Sequence, residues 1–124
     1  KTDNITKYNG GNYLKGTTQN SYITIHGDST ITGNIFGGGR SAPVGGNTVV
    51  NINDAKANRN VFGGGKSAVV SGDTDVDIIN SRVLEDVYGG GDEAAVSGES
   101  TIDIDSSIIE ESVYGGGNKG AVGT

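Results

Sequence analysis

The chain has 124 residues, a formal net charge of −6 at pH 7 and no cysteine. Nucleic-acid binding requires basic residues that neutralise phosphates, so the acidic balance argues against such a partner. The lack of cysteine excludes disulfides and thiolate metal sites, and no apolar run approaches the roughly 20 residues of a membrane-spanning helix.

Residues 1–21 are polar and are predicted to form an irregular N-terminal cap or flanking segment, because the terminal units of a repeat array commonly differ from the others. Residues 22–35 follow a different pattern. Polar and β-branched residues alternate on both sides of Gly27-Asp28, which predicts a strand, a turn and a second strand.

From Phe36 onward, an aromatic residue followed by three glycines returns every 26 residues. The aromatic residues are Phe36, Phe62, Tyr88 and Tyr114. A constant period of this length indicates a repeat architecture. The repeats span 36–61, 62–87 and 88–113, with a partial repeat at 114–124. Because the last repeat is incomplete, we expect the chain to be a piece of a longer protein.

Aligned repeats show apolar residues at the same positions in every copy. The two columns that lie two residues apart are Val50/Val76/Ile102 and Ile52/Ile78/Ile104. Since residues two apart in a strand share a face, both columns are expected to point inward. Further apolar columns are Val44/Val70/Val96/Val122, Ala57/Val83/Ile109 and Val61/Val87/Val113. The alternation fails between 83 and 87, where Glu85 is polar, and this marks one corner; the Gly-containing stretch 71–73 marks another.

One such unit cannot bury its apolar face alone, whereas stacked copies can. We therefore predict an all-β parallel β-solenoid over residues 22–124, with one coil per repeat and about 4.7–4.9 Å between coils. The structural alternative is a stack of β-hairpins or a β-roll with antiparallel pairing. The last partial coil would leave an unpaired strand edge, which predicts end-to-end self-association.

The aromatic and glycine positions allow two interpretations. In the structural one, the glycines permit sharp turns or close backbone approach, and the aromatic residues stack on one another between coils. In the functional alternative, Phe36, Phe62, Tyr88 and Tyr114 form a platform for sugar rings. A phosphate-binding loop is excluded at Gly63–Ser67, because Asn60 stands where that motif requires its first glycine.

Acidic residues occupy the outward positions of the main strand in the later repeats, namely Asp75, Asp77, Asp103 and Asp105. Parallel stacking would bring Asp77 close to Asp103, where like charges repel by roughly 1 kcal/mol in water. A solvated acidic face is one interpretation. A Ca²⁺ site is the other, since Ca²⁺ takes 6–8 oxygen ligands; no other cofactor is indicated.

The acidic residues recur as structural columns, and no zinc motif, nucleophile elbow or histidine-based triad is present. These features favour a non-enzymatic chain. A short sequence pattern, (F/Y)-G-G-G followed by V-x-G-(D/N/E)-(T/S)-x-V-x-I, resembles the glycine-rich repeats of bacterial cell-surface β-helical adhesins, including autotransporter-like and Gram-positive surface proteins. The resemblance covers about residues 22–124. It implies an extracellular stalk or adhesive segment with a host-surface glycan or protein as partner, and it transfers no site residue.

Overall fold

The structure is a computed structural model that describes residues 20–41 and 43–123. Each of the four described coils contributes one strand of six residues and two strands of two residues. The long strands are β1 (Ser21–His26), β4 (Thr48–Asn53), β7 (Thr74–Ile79) and β10 (Ser100–Asp105). The first short strands are β2 (Thr30–Ile31), β5 (Lys56–Ala57), β8 (Arg82–Val83) and β11 (Ile108–Ile109). The second short strands are β3 (Ile35–Phe36), β6 (Val61–Phe62), β9 (Val87–Tyr88) and β12 (Val113–Tyr114).

Every strand pairs in parallel with its counterpart in the next coil, which produces three four-stranded sheets. Their strand orders are β1-β4-β7-β10, β2-β5-β8-β11 and β3-β6-β9-β12. Parallel single-residue bridges join Val44 to Val70, Val70 to Val96 and Val96 to Val122. The parallel β-solenoid is therefore confirmed, and antiparallel hairpins are excluded for the described residues. No helix in this part of the chain is long and apolar enough to cross a membrane.

The pairing follows the 26-residue period except at one corner. Strand β2 pairs with β5 through Thr30 and Lys56, a separation of 26 residues, whereas Ile25 of β1 lies opposite Ile52 of β4, a separation of 27. The extra residue lies between β1 and β2, where Gly27 has a φ of 76°. The insertion is therefore absorbed within one corner, and the neighbouring sheets keep their register.

The interior is a narrow apolar column that runs through all coils. The main cluster contains the inward residues of the long and short strands, including Ile25, Ile52, Ile78, Val83 and Val87, each at most 1% exposed. Valines 44, 70 and 96 form a separate buried cluster beneath the single-residue bridges. The inward columns predicted from the repeats are thus the ones that supply the burial, at about 25 cal/mol per Å² of apolar surface removed from water.

A third corner follows each long strand; in the first coil it is the turn predicted at Gly27-Asp28, which is confirmed, whereas the aligned repeats did not reveal it. This corner has a left-handed backbone in every coil, with φ between 52° and 54° at Asp54, Asn80 and Ser106, which directly follow the strand, and 65° at Asp28, which follows Gly27. Asp and Asn tolerate this region better than most residues. The predicted corners at 71–73 and 84–86 lie between strands as expected. Each coil therefore has one turn more than the two corners that the aligned repeats predicted.

Polar side chains support two of these corners by bonding to the next coil. The side-chain oxygen of one residue accepts a hydrogen bond from the backbone N–H of the residue 26 positions later. At one corner the acceptors are Asn34, Asn60 and Asp86, with distances of 3.0, 2.8 and 2.9 Å. At another, Asn47 and Asp73 accept from Asp73 and Glu99 at 2.8 and 2.9 Å. Backbone donors that no strand uses are satisfied in this way.

The triple glycines allow the coils to approach closely. A Cβ atom at position 89 would lie 2.5 Å from the carbonyl oxygen of Gly115, and one at position 64 would lie 2.7 Å from the amide nitrogen of Gly91. Neither distance is compatible with a side chain. Positive φ among the described glycines occurs at Gly27 and Gly123 instead. Of the two predicted reasons for the motif, close backbone approach is therefore the one that applies.

The last described coil is less buried than the others. Ile104 is 38% exposed, although its equivalents Ile52 and Ile78 are at most 1% exposed. Val113 is likewise 46% exposed, whereas Val87 is fully buried. Ile104 thus keeps the predicted inward position opposite Ile78, but it is not buried in this coil because no further described coil covers it.

Candidate functional site

The outer face of the long-strand sheet is the broadest surface on which side chains vary between coils. Three outward columns cross it: Tyr22/Val49/Asp75/Thr101, Thr24/Asn51/Asp77/Asp103 and His26/Asn53/Ile79/Asp105. The first two coils contribute neutral side chains and His26, whereas the last two contribute four carboxylates. The face therefore becomes acidic toward its C-terminal end.

Three of the four predicted acidic residues meet at this end of the face. Asp77 lies directly opposite Asp103 in the pairing of β7 with β10, and Asp75 lies two residues before Asp77 on the same face. One carboxylate oxygen from each of the three residues lies within 4.8 Å of those from the other two. We call this group the carboxylate cluster.

Close packing of these carboxylates changes the acidity of the central one. Burial, together with the carboxylates of Asp75 and Asp103, raises the pKa of Asp77 from its usual 3.8 to about 6. One oxygen of Asp75, Oδ1, is buried and has no hydrogen-bond partner among the described residues. The cluster thus concentrates negative charge that protons or a cation could neutralise.

Asp105, the fourth predicted residue, lies outside the cluster. Its register partner is Ile79, and its side chain is exposed at the end of β10. The cluster therefore offers three carboxylates, fewer than the 6–8 oxygens that Ca²⁺ prefers, and a bound ion would complete its shell with water or backbone oxygens. Calcium binding stays a prediction, and the contribution of Asp105 to it is not supported by this geometry.

The aromatic residues stack in a single ladder, as the structural interpretation predicted. Ring centroids are 4.7 Å apart for Phe36–Phe62, 4.8 Å for Phe62–Tyr88 and 4.9 Å for Tyr88–Tyr114, with the planes within 11° of parallel. The first three rings are at most 9% exposed, whereas Tyr114 is 46% exposed. Among the described residues, Phe62 and Tyr88 are therefore stacked on both faces and Phe36 is buried, whereas Tyr114 has an exposed ring that a ligand could reach.

A buried row of hydroxyl groups was not predicted from the sequence. Thr48 and Thr74 are at most 1% exposed, and their hydroxyls donate to the carbonyl oxygens of Gly63 and Gly89 at 2.5 and 2.6 Å. Ser21 donates to Gly37 in the same way at 2.9 Å. The row links the long strand to the glycine stretch across the interior. In the sequence, this row is visible as a Ser or Thr two residues before the inward column that contains Val50 and Val76.

A shallow groove runs along the corner that follows the long strands. Residues that line it include Asp54, Lys56, Asn80 and Arg82. The Asn80 amide donates to Asp54 at 2.7 Å, and the Arg82 Nε donates to Glu110 at 2.7 Å, so these two polar groups pair with neighbouring coils. The groove is therefore stabilised by cross-coil pairs.

The comparisons with known proteins were negative: no family model, no curated protein and no solved structure matches this chain.

Proposed function

We propose that the chain is a non-enzymatic structural segment of a larger bacterial surface protein, which extends and presents a binding surface outside the cell. The observation that carries this proposal is the separation of constant and variable positions. Inward positions repeat with the same residue class in every coil, as in Val50, Val76 and Ile102. Outward positions change from coil to coil, as in Tyr22, Val49 and Asp75.

A scaffold of this kind separates folding from recognition. The inward side chains, the buried hydroxyl row and the glycines are all used in contacts between coils. The outward side chains of the long-strand sheet are then available for a host-surface glycan or protein. Because the polar groups that line the corner groove bond to adjacent coils, they serve stability more than acid–base chemistry.

The extension role is tested by lengthening the chain. Three additional copies of residues 62–87, inserted after Val87, should lengthen the particle by about 14 Å, since coils are about 4.8 Å apart. Small-angle X-ray scattering measures the maximum dimension, and circular dichroism checks that the chain stays β-rich. A particle that unfolds or grows only in width would contradict the proposal.

The presenting role is tested with the chain immobilised on beads and exposed to glycan and host-protein arrays. The matched variants change outward residues only, for example Tyr22→Ser and Thr24→Ala, which should abolish binding without lowering the melting temperature. Cleavage of a polysaccharide by the purified chain would refute the non-enzymatic assignment.

Carbohydrate binding through the aromatic column is a second proposal, and it depends on Tyr114 because that ring is 46% exposed while the other three are covered. On a glycan array, Tyr114→Ala should remove the signal and Tyr88→Phe should retain it. Equal signals from wild type and Tyr114→Ala would discard this role for the column.

A further inference from the structure

The groove beside the long strands is built from the same three consecutive positions of successive coils. Its floor is a column of small side chains, since Ser29, Ala55 and Ser81 are at most 8% exposed. One wall is the residue before each floor position, which has the left-handed backbone, and the other wall is the outward residue after it. Because these positions recur from coil to coil, the groove runs across the strands, parallel to the axis of the solenoid.

The groove is large enough to hold an extended ligand. Its volume is about 460 Å³, within the roughly 300–1,000 Å³ that is usual for small-molecule sites. It extends from Asp28 to Ser106, which is about 14 Å at one strand spacing for each step between coils. A ligand lying along it meets a new pair of wall residues at every step. The groove therefore fits a linear chain of small units better than a single compact molecule.

The two walls of the groove differ in charge. The first wall carries the carboxylates of Asp28 and Asp54. On the second wall, Lys56 and Arg82 are register partners in the pairing of β5 with β8, so two cations lie one strand spacing apart. Like charges that face each other across paired strands are destabilising. An anionic group placed between the two cations would remove this repulsion.

The side chain of Lys56 has no internal partner for its charge. Other cations do have one: Arg59 and Lys66 lie 4.0 and 3.6 Å from acids of the next coil, and Arg82 binds Glu110 through Nε and Nη2. Within the described part of the chain, the Lys56 ammonium forms neither an ion pair nor a hydrogen bond, and Nη1 of Arg82 donates to no acceptor. These two groups are therefore the donors that an acidic ligand would reach.

Backbone groups along the groove are already used in bonds between coils. The N–H of Asn80 donates to the carbonyl of Asp105 at 2.9 Å, and the N–H of Arg82 donates to the carbonyl of Ala55 at 3.1 Å. The N–H of Ala55 donates to the hydroxyl of Ser81 at 3.0 Å. A peptide that adds to a sheet as a strand needs free backbone donors and acceptors. Recognition in this groove therefore depends on side chains, which suits a ligand rich in hydroxyl groups.

We propose that the groove binds a linear acidic oligosaccharide whose carboxylate or sulfate group lies between Lys56 and Arg82. Its hydroxyl groups donate to the carboxylates of Asp28 and Asp54 on the opposite wall. Because that wall is acidic, the charges of the ligand must lie along one edge, and this selects a sparsely charged glycan over a densely charged polymer. The site rests on the proposed function, since it names the class of glycan that the presented surface takes.

The test measures the binding of two tetrasaccharides to the 124-residue chain by isothermal titration calorimetry at low salt. The acidic probe alternates a uronate with an N-acetylhexosamine, and the neutral probe is the same chain with its carboxyl groups reduced to alcohols. The variant Lys56→Gln removes one cation of the pair. Arg59→Gln is the matched control, because it removes the same charge from a side chain that does not line the groove.

The wild-type chain should bind the acidic probe at least about tenfold more tightly than the neutral one, because a charged group is bonded. Lys56→Gln should remove that preference, whereas Arg59→Gln should change the affinity by less than about twofold. Added salt should weaken binding of the acidic probe. Without a ligand, Lys56→Gln should melt at or above the wild-type temperature, since it relieves the repulsion with Arg82.

Nuclear magnetic resonance locates the bound probe. Amide shifts should concentrate at residues 54–56 and 80–82 and leave residues 22–26 of the long-strand face unchanged. Equal affinity of wild type and Lys56→Gln for the acidic probe, or shifts confined to the long-strand face, would overturn the site. A densely sulfated oligosaccharide or an oligonucleotide that binds as tightly as the acidic probe would show attraction to any anion and would overturn it as well.

The failure of this site can be told apart from failure of the proposed function. A chain that ignores the acidic probe but retains an array ligand through Tyr22 and Thr24 refutes the groove site and leaves the presenting role in place. A chain that binds the probe through Lys56 and also cleaves it supports the groove site while refuting the non-enzymatic assignment.

Discussion

The carboxylate cluster makes a prediction about pH that can be worked through from the structure. Asp77 has a pKa of about 6 in the folded chain against 3.8 ordinarily, owing first to burial and then to Asp75 and Asp103. Below about pH 3.8 the residue is protonated in both folded and unfolded chains, and its full contribution to stability is present. As pH rises from about 4 through 6, the unfolded chain loses its proton first, so the free energy of unfolding falls.

The size of this effect follows from the shift. A difference of about two pKa units corresponds to about 3 kcal/mol for an enclosed group. Asp77 is half-buried at the surface, where solvent screens its charge, so we expect about 1 kcal/mol. In a domain of about 100 residues that is a change of about 4–8 °C in melting temperature. Asp77→Asn should therefore melt higher than wild type at pH 8 and at the same temperature near pH 4.

The assay is thermal unfolding by circular dichroism at pH 4, 6 and 8. Asp105→Asn serves as the matched control, because that residue is on the same face but outside the cluster. Its removal should leave the gap between the pH 4 and pH 8 melting temperatures unchanged. A wild-type chain that gains stability relative to Asp77→Asn between pH 4 and pH 8 would show that the three carboxylates do not repel as argued.

Three further measurements address the core, the buried hydroxyls and the metal. Phe62→Ala removes a ring that is stacked on both faces, and it should lower the free energy of unfolding measured in urea by about 3–5 kcal/mol. Tyr114→Ala should lower it clearly less. Thr74→Val should cost about 1–3 kcal/mol by removing a buried donor, and the exposed control Thr101→Val should be near neutral. Millimolar Ca²⁺ at pH 7.5 should raise the melting temperature of wild type but not of Asp77→Asn. Identical melting curves in Ca²⁺ and in chelator would discard the calcium site.

Much of the fold could be predicted, because coils that stack in register make the same contact at every repeat. Once Val50, Val76 and Ile102 are aligned, their parity places them inside, and the parallel register follows from the period. The turn after the long strand was predicted at Gly27-Asp28 but missed at Asp54 and Asn80, because no glycine or proline marks it in those repeats. The left-handed backbone there is visible only in the structure.

The candidate site was harder to predict, because exposure depends on the neighbouring coil as well as on the residue. Tyr88 and Tyr114 both lie in a Val-Tyr-Gly-Gly-Gly stretch, yet they are 9% and 46% exposed. Similarly, Asp103 and Asp105 share a face, but only Asp103 has an acidic partner across the sheet, since Ile79 lies opposite Asp105. Aligned repeats show which side chains are neighbours, whereas the exposure of each side chain depends on which coil covers it.

The additional residue at Gly27 has a practical consequence for protein engineering. The first coil contains one residue more than the others between its long strand and its first short strand, and the sheets on both sides remain aligned. Chain length at this corner is therefore uncoupled from strand alignment. Foreign loops or epitopes grafted at the equivalent sites near Asp54 and Asn80 should therefore lie along the same edge of the solenoid. Their separation would be one strand spacing, so the number of coils between two grafts would set the distance between them.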